Sequence, residues 1–186
     1  MICAEHPITA MALARGVPVP EVAYPFDAPG ARFLHIHRAG EEAALSMREH
    51  HFFRLGIMLA NGLPPDPEAV QKESDPISQR LASRPDAVHF GRWWTHEVLR
   101  GFRALPGLDA AQIRQVRFED LVEEPRAVLH EVAHFLQLPD PNGPWCQRAV
   151  ALVRGRPPTR ADKLPEDERQ RLVAACHPGN FLLGRA

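Results

Sequence analysis

The sequence predicts an α/β domain in which a small parallel sheet is flanked by helices, with a helix-rich carboxyl-terminal half. Three observations predict it. The run "RFLHI" (32–36) is short and apolar, and helical spacing follows it after Ala39-Gly40. The run "QIRQVRFEDL" (112–121) repeats that order, strand and then helix. Elsewhere the apolar residues recur every three or four positions, which is the helical period.

Each element has its own justification. In the first strand Phe33, Leu34 and Ile36 are the apolar side chains, and the run leads to Arg38. Glu41 and Glu42 open a helix over 40–60, with Ala44, Met47, His51, Leu55 and Met58 at helical spacing. Asn61-Gly62 and Pro64-Pro65 end it. A helix over 67–82 is broken near Pro76. Residues 87–105 form another, whose broad apolar face holds Trp93, Trp94, Val98, Phe102 and Leu105. In the second strand, which runs to Phe118, Val116 and Phe118 share one face. Pro125 starts a helix with Val128, Leu129, Val132 and Leu136 on one stripe. A further helix runs from Pro144 towards Gly155. The last begins at Pro165 with an acidic first turn, suited to the helix dipole, and ends before His177-Pro178-Gly179.

A chain of 186 residues fits a single domain spanning 1–186. Its hydrophobic content of 45% and charged content of 24% are those of a soluble globular protein. A net charge of −1 gives no reason to expect a nucleic-acid partner. Proline, at 19 residues, is about twice average usage and clusters in 17–29 and 64–76, which read as stiff connections. Cys3, Cys146 and Cys176 are odd in number and form no C-x-x-C, so free thiols and a cytoplasmic location are expected. Glu5, His6 and Pro7 interrupt the first residues before any apolar run forms, so neither a signal peptide nor a membrane anchor is expected.

Candidate chemistry begins with Arg38 at a strand end and Ser46 eight residues later. A guanidinium and a hydroxyl near a helix start make a phosphate clamp. The plainer reading pairs Arg38 with Glu41 or Glu42 and leaves Ser46 on a solvated face. His35 and His37 share a strand face at a spacing compatible with a metal, yet no third ligand of matching geometry is evident, so no metal is expected. Glu119 and Asp120 read first as caps at a strand-to-helix turn and second as catalytic carboxylates. Trp93-Trp94 reads as core rather than as a substrate platform. The loop "VRGRPPTR" (153–160) is either solvated or closes over an anion through its arginines.

Taken together, "HIHRAGEEAALSM" and "RFEDLVEEPRAVLHEVAHFLQL" resemble the sulfotransferases that use 3′-phosphoadenosine 5′-phosphosulfate (PAPS). The resemblance implies that Arg38 and Ser46 hold the 3′-phosphate of PAPS. It implies that Phe118 helps to hold adenine, without a phenolic hydroxyl. The loop at 153–160 falls where the family has a basic, nucleotide-closing segment, so Arg154 or Arg156 is the implied counterpart. "AEHPIT" falls where the family carries a base for the acceptor, which implies His6, with Glu5 as the fallback. The acceptor is then a small molecule or glycan offering a hydroxyl or amine.

One part of the family pattern is missing. No glycine-rich loop with lysine precedes Arg38, although such a loop cradles the 5′-phosphosulfate. The expectation is an incomplete P-loop-like three-layer domain, amino-terminally truncated or degenerate, with impaired transfer. Two alternatives stand beside it: a non-catalytic nucleotide-binding or partner-docking remnant, and an unrelated kinase-like α/β protein. The absent P-loop counts against the latter too.

Overall fold

The computed structural model describes residues 31–104 and 109–185. Among these the element order is β1 (Phe33–His37), α1 (Gly40–Glu49), α2 (His51–Ala60), α3 (Pro67–Lys72), α4 (Pro76–Ala82), α5 (Ala87–Ala104), β2 (Ile113–Arg117), α6 (Phe118–Glu123), α7 (Pro125–Phe135), α8 (Pro144–Leu152) and α9 (Glu166–Leu182). The described residues are 66% helical, with one two-stranded parallel sheet, so the coarse expectation of a small, helix-rich α/β protein holds. They fall into two compact units: 39–103 with 159–185, and 31–38 with 104 and 109–158.

In the first unit, α1 and α2 divide what the spacing predicts as one helix. His50 stands between them in extended backbone (φ −93, ψ 120), and its amide donates to the Met47 carbonyl. The break lets two short apolar faces reach one core, with Ala44, Leu45 and Met47 from α1 and Ile57 from α2. Helices α3 and α4 start at Pro67 and Pro76, where a missing amide hydrogen costs nothing. Asp75 caps α4 by accepting from the Ile77 and Ser78 amides at 2.9 and 3.1 Å. Helix α5 adds Ala87, Phe90, Trp94 and Val98 to the core, so Trp94 is core as expected, while Trp93 is half-buried and meets Phe53 edge-on at 5.4 Å.

Helix α9 corrects its predicted end. It runs through Pro178 to Leu182, although an interior proline removes a hydrogen bond and costs ~3 kcal/mol. Burial decides the matter. Leu172, Cys176, Gly179 and Asn180 form one inward stripe at helical spacing, and stopping at Cys176 would forfeit its second half. The Trp94 ring packs so closely that a Cβ on Gly179 would meet its Cζ3 at 2.5 Å, and a Cβ on Gly40 would meet the same atom at 2.4 Å. Polar contacts fix the register. Arg48 donates to Glu168 Oε1 at 2.6 Å, and that oxygen also accepts the Ala87 amide at 3.3 Å, joining α1, α5 and α9.

In the second unit, β1 and β2 pair in parallel with Phe33 opposite Ile113 and His37 opposite Arg117. β1 is shifted one residue along from the run 32–36, β2 is one residue shorter at each end than 112–118, and Phe118 is the first residue of α6 rather than the last of the strand. Paired residues of a parallel ladder project to the same side, so Ile36 and Val116 share one face and His37 and Arg117 the other. Ile36 is 49% exposed while His37 is 7% exposed, the reverse of what polarity alone predicts. Arg32 donates to the Phe135 carbonyl and lies 5.6 Å over the Phe135 ring, tying the approach to β1 to the end of α7. Ala133 and Cys146 are the buried apolar residues of α7 and α8. Among the described residues no helix is long and apolar enough to cross a membrane.

Candidate functional site

The parallel register determines what emerges at the carboxyl end of the sheet. Because His37 lies opposite Arg117, the next residues, Arg38 and Phe118, leave adjacent strands side by side. The Arg38 guanidinium carbon sits 5.1 Å from the Phe118 ring centroid, within cation–π range, and both side chains are half-buried. Strand carboxyl ends are where open α/β sheets bind ligands. A guanidinium offers planar donors to a phosphate, and an aromatic face offers a stacking surface to a base.

Phe118 opens α6, and Glu123 closes it, about 7.5 Å further along the axis at 1.5 Å per residue. Glu123 Oε1 accepts from Arg156 Nη1 at 3.2 Å, which tethers the loop at 153–158 to the same short helix. Arg38, Phe118 and Arg156 are thus brought into one unit around α6. Arg154 is exposed in that loop. Ser46, the other expected phosphate contact, is exposed on α1 and belongs to the other compact unit. His6 and Glu5 lie outside the described residues.

Several side chains have roles that the sequence reading did not assign. Glu41 accepts from Asn180 Nδ2 at 2.9 and 3.2 Å, and Asn180 Oδ1 accepts the Gly40 amide at 3.0 Å. That amide is one of the donors at the start of α1, the helix terminus beside the expected phosphate clamp. It is spent on Asn180. Glu42 is buried and accepts the amides of Arg160 and Ala161 at 2.7 and 3.0 Å, holding the start of a 3₁₀ turn at Ala161–Lys163. Glu119 and Asp120 occupy the first turn of α6, where acidic side chains complement the helix dipole. These partners lie more than a hundred residues apart for Glu41 and Glu42, so spacing carried no signal of them.

The His35 and His37 rings lie 5.4 Å apart on one face of β1, and burial holds the His35 pKa below its ordinary value. Among the described residues no group of three or more His, Cys, Asp or Glu could hold a metal ion. Cys146 and Cys176 are buried free thiols; burial first, and the Glu41 carboxylate second, push the Cys176 thiol well above the usual range. That makes Cys176 a packing residue and not a nucleophile.

What the described site defines is a class by chemistry: a cation laid over an aromatic ring at the end of two parallel strands, with a basic loop tethered nearby. No family model, no curated protein and no solved structure matches the chain.

Proposed function

We propose that the chain is a sulfotransferase-like protein that binds PAPS and transfers its sulfuryl group to a hydroxyl or amine acceptor, with impaired transfer by these 186 residues alone. The observation that carries this reading is the Arg38–Phe118 stack at the carboxyl end of the β1–β2 pair. It supplies a phosphate-reading cation and a base-stacking ring in adjacent positions, as the resemblance implies. In the implied reaction the acceptor oxygen or nitrogen attacks sulfur in line. The bond from sulfur to the bridging phosphate oxygen breaks, adenosine 3′,5′-bisphosphate leaves, and the acceptor proton passes to His6 or Glu5. Such transfers depend mainly on positioning and charge stabilisation. The described residues supply the nucleotide-holding part. Lys72 ends α3 and Lys163 lies in a 3₁₀ turn, and the sequence has no lysine before Arg38 to offset charge on the leaving phosphate.

The test is calorimetry with adenosine 3′,5′-bisphosphate and adenosine 5′-monophosphate. Arg38→Ala is expected to weaken the bisphosphate roughly ten- to a hundredfold, the loss of one charge-assisted contact, and the monophosphate much less. Equal weakening of both ligands would remove Arg38 as a 3′-phosphate reader. Assayed with labelled PAPS and a broad acceptor panel, the chain should show binding with little turnover, since loss of even one preorganised donor costs ~10²–10³ in rate. Binding with no turnover under any condition would favour the non-catalytic nucleotide-binding reading.

A further inference from the structure

We draw no further inference here: the strongest candidate, the exposed apolar surface patch that Val173, Phe181 and Leu182 form on the outward side of α9, is an unpartnered helix face, and nothing in the structure shows what covers it.

Discussion

At the scale of single residues, the two side chains that matter most owe their meeting to backbone register. Arg38 and Phe118 are eighty positions apart in sequence, yet each follows the last residue of a strand, and the strands end level. Beneath them on the other face of β1, His35 supplies a pH dependence. Burial lowers its pKa from 6.5 in the folded chain, so the unfolded chain takes up a proton first as pH falls. The stability is complete above the unfolded value and declines as pH drops from about 6.5 towards the folded value. Urea midpoints should therefore fall between about pH 7.5 and pH 5.5, and His35→Gln should flatten that dependence. An unchanged slope in the variant would assign the dependence to other groups. Gly179 gives a second prediction at this scale. With Trp94 Cζ3 2.5 Å from where a Cβ would sit, Gly179→Ala should destabilise by about 1–3 kcal/mol through overpacking, read as a lower thermal midpoint.

At the scale of elements, the sequence was legible wherever local chemistry decides. Pro125 begins helix α7 as read, and Pro76, read as a break within 67–82, begins α4, because proline loses nothing at a first helical position. The two strands were legible to within one residue from their apolar runs and the helical spacing that follows. Where tertiary contacts decide, the sequence misled. Nothing local around His50 requires a break, and Pro178-Gly179 reads as a stop, but Trp94 and the buried Asn180 keep α9 helical past both. The candidate site follows the same division. Arg38, Phe118 and Arg156 were found as residue types in order, whereas Glu123 and the capture of the Gly40 amide by Asn180 depend on the folded chain. The strain left at Pro178 is testable. Pro178 is exposed, so Pro178→Ala restores an amide donor without disturbing the core, and it should raise the thermal midpoint, with a gain of up to ~3 kcal/mol. A lower midpoint would mean that the ring stabilises chiefly by restricting the unfolded chain.

At the scale of the whole molecule, the two units differ in how they are held. The unit formed by 39–103 and 159–185 has an extended core built on Leu45, Ile57, Phe90, Trp94, Leu172 and Cys176. Among the described residues, the other has a two-stranded ladder with Val116, Ala133 and Cys146 as its buried apolar side chains, far less apolar burial for each described residue. Isolated small sheets are marginal without extensive packing, so this unit should open at lower denaturant. The tryptophans make the difference observable: Trp93 and Trp94 report on the first unit, and Trp145 on the second. In a Trp145→Phe variant, fluorescence should follow the first unit alone, while far-ultraviolet circular dichroism, which sees both, should begin its transition earlier. Arg38, Phe118 and Arg156 all belong to the weaker unit, so adenosine 3′,5′-bisphosphate should shift the early transition and leave the fluorescence transition in place. At a hundredfold excess over Kd the expected gain is about 2.7 kcal/mol. Coincident transitions would show one cooperative unit instead. A shift of the fluorescence transition alone would move the nucleotide site to the other unit, where Ser46 and the α1 terminus lie.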